Sequence, residues 1–310
     1  MVSDADIEHV DLHGKVVAIT GGARGIGLAT ANAFARRGAL VAIGDLDAAG
    51  AGVAARGIGR NAIGLALDVT DRASFESFLS EVEHRLGPLD VMVNNAGVQH
   101  VGLFGDESDA STGTQVAVNL GGVLTGTKLA LARMGPRGRG HIVNLASVAG
   151  KMASPGGATY SATKHAVVGL SESLRGELRG SGIAVSIVMP AIIATEMADG
   201  LGSARGVRPV EPTVVGEAIV RAVRRGRGAD VYVPGYTGTI NTAMSVLPRI
   251  LRDAIRHLMR ADTVLTDVDQ LRAPDTTHAS QPRTNRVAIP IQLCSSREHS
   301  ASPSRLIAGM

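Results

Sequence analysis

Tyrosine and lysine are scarce in this 310-residue chain, yet two of them stand four positions apart: Tyr160 and Lys164, in the run Tyr160-Ser161-Ala162-Thr163-Lys164. There are three tyrosines, and of the 31 basic residues only Lys15, Lys128, Lys151 and Lys164 are lysine. Positions i and i+4 share one face of a helix. An ammonium beside a phenol stabilises phenolate, so Lys164 is expected to draw Tyr160 down from its ordinary value of about 10. A phenol tuned in this way serves as acid or base near neutral pH. The competing reading is a solvent-facing pair on an amphipathic helix. Ser147, a second hydroxyl, lies thirteen residues before Tyr160.

A second constellation lies near the N-terminus. The segment Thr20-Gly21-Gly22-Ala23-Arg24-Gly25-Ile26-Gly27 follows a short apolar run and opens an amphipathic stretch. Strand, glycine-rich turn and helix start together form an anion site, because the first helical N–H groups are free and the helix dipole is positive there. Gly21 permits the tight turn, and Gly25 and Gly27 let backbone and helix approach a pyrophosphate closely. Asp45 stands eighteen residues after Gly27. A carboxylate there is placed to accept ribose hydroxyls and would repel a 2′-phosphate, which predicts NAD over NADP. Arg24 argues the other way, since its guanidinium could pair with that phosphate. Further on, Asp68 and Val69 end a third apolar run, at the place for an adenine ring, and Asn94-Asn95-Ala96-Gly97 ends a fourth. Asn94 reads as a tie between strands; Asn95, Ala96 and Gly97 read as cofactor-lining.

The elements that must carry these residues show two alternating periodicities. Runs rich in Val, Ile and Ala at 15–20, 39–44, 62–67, 89–94, 141–146, 183–189 and 230–233 read as buried strands. Stretches with helical spacing lie between them at 25–37, 72–86, 114–134, 159–179 and 213–224. Near-continuous apolar strands alternating with helices predict an α/β fold. That fold is a doubly wound, Rossmann-like parallel sheet in three layers. Such sheets bind ligands beyond the carboxyl ends of their strands, and each motif above falls just after a strand. The expected organisation is one domain at 12–240, a basic amphipathic helical extension at 241–273 and a tail at 274–310 rich in Ser, Thr, Pro and Arg.

With these motifs in order, the chain resembles the short-chain dehydrogenase/reductase family. The matching elements are Thr20 to Gly27, Asp68, Asn94 to Gly97, Asn119 in Val118-Asn119-Leu120, Ser147, and Tyr160 with Lys164, over roughly residues 12 to 235. The resemblance implies a catalytic set of Asn119, Ser147, Tyr160 and Lys164. Tyr160 exchanges a proton with the substrate oxygen, and Ser147 hydrogen-bonds that oxygen. Lys164 holds the nicotinamide ribose and tunes Tyr160. Asn119 supports a water that relays protons from Lys164. Hydride passes between the nicotinamide of NAD and the substrate carbon. It further implies a homodimer or homotetramer through the helices at 114–134 and 159–179. One departure stands out. The family commonly has Pro-Gly after the sixth strand; here Pro190 is followed by Ala191, with Ile193 and Thr195 still placed to meet the nicotinamide carboxamide.

Substrate contacts are expected from the loops at 98–109, 152–158 and 196–209. These carry Val98, Leu103, Phe104, Met152, Met197 and Leu201, with Gln99 and His100 as polar exceptions. That lining suits a small hydrophobic alcohol or its ketone; Arg205 and Arg208 are the only basic pair there. No metal site is expected. The net charge of +3 is uneven: +4 falls in 221–273 and +2 in 274–310, leaving −3 in 1–220. The basic bias comes with no stacking aromatics, which speaks against nucleic acid. In 246–260, Arg249, Arg252, Arg256 and Arg260 share one helical face. Such a face could touch an anionic membrane surface or pack on protein. No apolar run reaches the ~18 residues of a membrane helix, Cys294 is the single cysteine, and the first residues are acidic, so a cytoplasmic location is expected. The rival from another class is a protein that senses dinucleotide, or works at a membrane surface, without turnover.

Overall fold

The structure, a computed structural model, describes residues 9–191, 210–248 and 250–251. Seven strands form one parallel sheet: β1 (Val16–Thr20), β2 (Leu40–Asp45), β3 (Ala62–Ala66), β4 (Leu89–Asn94), β5 (Gly140–Leu145), β6 (Ile183–Pro190) and β7 (Asp230–Val233), in the order β3-β2-β1-β4-β5-β6-β7. The order reverses between β1 and β4, and that reversal opens a crevice at the strands' carboxyl ends. The helices are α1 (Gly25–Ala35), α2 (Ala48–Ile58), α3 (Arg72–Leu86), α4 (Asp109–Val116), α5 (Val123–Met134), α6 (Ala158–Glu177), α7 (Pro212–Arg224) and α8 (Tyr236–Val246). The expected Rossmann-like, doubly wound α/β architecture is the one observed.

Strand alternation sorts the core into two layers. Val17, Ile19, Val41, Ile43 and Val93 point to one face and pack on Phe34 of α1 and on Val215, Ile219 and Val223 of α7. Val16, Ala18, Met92 and Ile142 point to the other, against Phe75, Phe78 and Leu79 of α3 and Leu129 and Met134 of α5. Every residue of β1 is buried, as expected of a strand covered on both faces.

Three elements differ from the sequence expectation, one of them α8, which begins at Tyr236, ahead of the expected helical extension. The stretch before β3 forms α2, capped by the Asp47 carboxylate, which accepts from the Gly50 N–H at 2.8 Å. Its buried face is Ala51, Ala54 and Ala55, residues too small to print a hydrophobic period. The helix expected across 114–134 is three segments: α4, a π-helical turn at Ala117–Gly122, and α5. Among the described residues, no helix is long and apolar enough to cross a membrane. Val246 and Ile250 are exposed. Arg249 and residues 252–260, the tail 274–310, the loop 196–209, and Ile193 and Thr195 lie outside the described residues.

Candidate active site

The glycine turn is shaped from within. Gly21 and Gly25 have φ of +63° and +54°, a region closed to most side chains. A Cβ on Gly21 would lie 2.9 Å from the Ala96 Cα, and one on Gly27 would lie 2.2 Å from the Gly21 carbonyl oxygen. Thr20 and Asn95, the latter read from sequence as cofactor-lining, lock this turn to β4. The Thr20 hydroxyl oxygen accepts from the N–H groups of Asn95 and Ala96 at 3.0 and 2.9 Å. The Asn95 side-chain amide donates to the carbonyls of Thr20 and Gly21, both at 2.9 Å. Asn95 therefore borders the turn with its amide nitrogen already committed to holding it.

The start of α1 is left open. Arg24 occupies the N-cap position and gives no side-chain cap, and the first turn holds no acidic residue. By contrast Asp47, Asp71 and Ser108 cap α2, α3 and α4. Uncapped N–H groups behind a glycine turn suit a pyrophosphate. Asp45 adjoins the turn: its carboxylate accepts from the N–H of Ala23 at 3.0 Å and of Asp47 at 3.1 Å. Asp68 accepts from the N–H and hydroxyl of Thr70 at 2.9 and 2.6 Å. Val69 is buried in the core, where a Cβ on Gly122 would meet it at 2.9 Å. Ile26 packs on the opposite core layer.

The fourth and fifth strand ends meet the catalytic candidates. A Cβ on Gly97 would lie 3.3 Å from the Asn119 Oδ1 and 3.6 Å from the Lys164 Nζ. Asn119 sits fully buried in the π-helical turn. Its Oδ1 accepts from the Val98 N–H, and its Nδ2 donates to the Val98 carbonyl, both at 2.8 Å. The same Nδ2 donates to the Thr163 hydroxyl at 3.3 Å, which in turn donates to the Tyr160 carbonyl at 2.7 Å. Ser147 donates to the Pro190 carbonyl at 3.4 Å and accepts from the Ala149 N–H at 3.1 Å. Asn94 ties β4 to β5 as expected, donating to Asn144 at 2.8 Å and to Thr127 of α5 at 3.2 Å. Ala191 extends the sheet by donating to the Val233 carbonyl at 2.8 Å.

Lys164 is buried and donates to the Leu145 carbonyl at 2.8 Å. Burial pushes its ammonium down to about 8. Its Nζ lies 5.6 Å from the centre of the Tyr160 ring. The expectation that this ammonium lowers the phenol is corrected here. Burial raises Tyr160 above its ordinary value, and the downward pull comes from the hydrogen bond with Ser147. The reason is geometric: the ammonium faces the ring and its bond goes to backbone, so desolvation outweighs it. The arrangement is a protonated, half-buried phenol facing a serine hydroxyl, beside a buried ammonium and a glycine turn. That arrangement can move a proton at an oxygen next to an anion-binding crevice.

The chain is similar to known oxidoreductases. The family model described as short chain dehydrogenase matches residues 15–206. Oxidoreductase UcpA of Escherichia coli (strain K12) is 37% identical over 222 residues, 71% of this chain and 84% of its own length. The 3-oxoacyl-[acyl-carrier-protein] reductase FabG of the same organism is 36% identical over 192 residues, 62% of this chain and 79% of its own. The 2,5-dichloro-2,5-cyclohexadiene-1,4-diol dehydrogenase LinX of Sphingobium indicum is 38% identical over 182 residues, 58% and 73% of the two chains.

Proposed function

The chain belongs to the short-chain dehydrogenase/reductase family, and on that premise we propose that this oxidoreductase interconverts a small hydrophobic secondary alcohol and its ketone, preferring NAD. One observation carries the reading: Lys164, beside Gly97, lies 5.6 Å from the centre of the Tyr160 ring, whose hydroxyl faces Ser147, at the strand ends that also hold the open glycine turn. A bound nicotinamide dinucleotide supplies or accepts the hydride. Gly21, Gly25, Gly27 and the first N–H groups of α1 take its pyrophosphate. Asp45 takes the adenosine ribose and Asp68 the adenine end. Lys164, with donors to spare beyond Leu145, holds the nicotinamide ribose. Ser147 orients the substrate oxygen. Tyr160, protonated at neutral pH, gives that oxygen its proton in reduction and must first lose it to act in oxidation.

This assigns a sign to the pH dependence. Because the phenol stands above its ordinary value, alcohol oxidation should accelerate as pH rises through alkaline values, whereas ketone reduction needs no such ionisation. Hydrophobic alcohols and ketones with both coenzymes, followed by absorbance of the reduced nicotinamide, test the reading. Faster turnover with NAD than NADP is expected, and a preference for NADPH would overturn the Asp45 assignment. Tyr160→Phe should keep coenzyme binding and lose about 10²-fold or more in turnover; an unchanged rate rejects the mechanism. The same family reading carries a homodimer or homotetramer through α5 and α6, to be read by sedimentation.

A further inference from the structure

The loop after β4 is pinned at Val98, His100 and Gly102, and one carboxylate makes the last pin. Asn119 clasps Val98. Gln115, almost fully buried in α4, accepts from the His100 N–H at 3.2 Å. The Gly102 N–H donates to the Gly156 carbonyl at 3.0 Å, joining this loop to the one that precedes α6. Glu107 closes the series. Its Oε1 accepts from the Gln115 amide and from the Ser111 hydroxyl at 3.0 Å. Its Oε2 accepts from the Thr159 hydroxyl at 2.7 Å. Thr159 is buried in the first turn of α6 and immediately precedes Tyr160.

That first turn otherwise lacks anchors at its start. The N-cap of α6 is Gly157, which offers no side-chain cap, and no acidic residue stands in the turn. Glu107 supplies from another element what the helix does not carry itself: an acceptor for a first-turn hydroxyl and a negative charge near the positive helix end. On the far side, Thr163 bonds the Tyr160 carbonyl and is held by Asn119. Tyr160 is thus gripped from two directions, by Asn119 through Thr163 and by Glu107 through Thr159. We propose that Glu107 is a positioning residue for the proposed reaction: through Thr159 it fixes the first turn of α6 so that the Tyr160 hydroxyl meets Ser147. This rests on the reading of Tyr160 as the proton donor. The carboxylate is held ionised for the task. Burial works to raise it, but hydrogen bonds from Thr159, Ser111 and Gln115, with His100 nearby, leave it below its ordinary value. The charged and titratable groups facing the two ends of the link are His100 at Glu107 and Lys164 at Tyr160.

The scarcity of aromatics permits a test that needs no substrate. The chain has three tyrosines and no tryptophan, so a Tyr232→Phe/Tyr236→Phe background leaves Tyr160 as the sole phenol. Its ionisation can then be followed by ultraviolet difference absorbance. Glu107→Ala in that background should move the midpoint to higher pH by about 0.5–1 pH unit, the effect of losing one hydrogen bond to the phenolate. Thr159→Val, which removes only the hydroxyl, should do the same. Glu107→Gln retains an acceptor for Thr159 and should restore the original midpoint. With cyclohexanol and NAD at pH 8, Glu107→Ala should lower kcat about tenfold with KM little changed, and Glu107→Gln should recover most of it. An unmoved midpoint in both Glu107→Ala and Thr159→Val overturns the proposal. So does a loss of kcat that only tracks loss of folded protein by circular dichroism. If Tyr160→Phe leaves turnover untouched, or the alcohol is not oxidised at all, the catalytic reading above is what fails. The titration then still decides whether Glu107 sets the phenol.

Discussion

Lys164 shows how a single side chain can weaken the fold that holds it. A buried ammonium loses its hydration and here regains the Leu145 carbonyl, which is less than three donors in water make. The drop to about 8 measures that penalty. The folded value lies below the unfolded one of about 10.4, so the protein carries the full cost at pH below about 8. The cost fades as pH rises from there past the unfolded value. Lys164→Met should therefore stabilise the coenzyme-free protein by about 1–3 kcal/mol at pH 7, the upper figure being reduced by the carbonyl left unpaired. Turnover should be lost in the same variant. Urea titrations at pH 7 and pH 10.5 check this: a variant less stable than the parent at pH 7, or equally favoured at both, would contradict the account. Such a trade of stability for a poised group is common where function needs buried charge.

At the scale of elements, the junction of β1 with α1 makes the sharpest demand on sequence. A Cβ on Gly27 would fall 2.7 Å from the Asn95 amide nitrogen as well as 2.2 Å from the Gly21 carbonyl. Neither can yield without releasing the turn from β4. Gly27→Ala should cost about 1–3 kcal/mol and weaken NADH binding by roughly tenfold or more, read by fluorescence titration. Gly57→Ala in α2, where nothing lies within 4 Å, is the matched control and should stabilise that helix by up to about 1 kcal/mol; equal loss of binding in both variants would sink the steric argument. This junction also marks what the sequence could disclose. Glycine spacing announced the turn, and uninterrupted apolar runs announced β1 and its neighbours, because both are local signals. The Thr20–Asn95 lock spans 75 positions, and the Glu107–Thr159 link spans 52. Neither has a periodicity to read, since each exists only once the sheet order brings its ends together. The π-helical turn at Asn119 was hidden inside a stretch whose apolar spacing fits one straight helix, and α2 was hidden by alanine. The sign of the Tyr160 shift was missed for a related reason: spacing places Lys164 near the phenol but says nothing of burial.

For the molecule as a whole, acid stability is set at the end of the sheet away from the crevice. His141, the second residue of β5, is buried, and its Nε2 meets the Ser186 hydroxyl of β6 at 2.8 Å. Ser186 also accepts from the Ala229 N–H, and Arg175 of α6 donates to the carbonyls of Val185 and Ala229. The cluster joins β5, β6, α6 and the lead-in to β7, so charging it strains the entire C-terminal half of the sheet. Burial first, and the Arg175 cation second, push His141 down to about 4. The unfolded chain takes up its proton near the ordinary value of about 6.5, while the folded one does not until about 4. Stability is therefore complete above pH 6.5 and falls as pH drops from there toward 4, by about 3 kcal/mol in the limit. His141→Gln, which keeps a polar partner for Ser186 but cannot ionise, should remove that component. In urea titrations at pH 7.5, 5.5 and 4.0, the parent should lose stability more steeply than the variant, while turnover at pH 7.5 stays unchanged because the crevice lies at the opposite strand ends. Parallel losses in the two proteins would move the origin of acid sensitivity away from His141 and onto the carboxylates, of which Glu217, hydrogen-bonded by Arg37 and held below its ordinary value, would be the next to test.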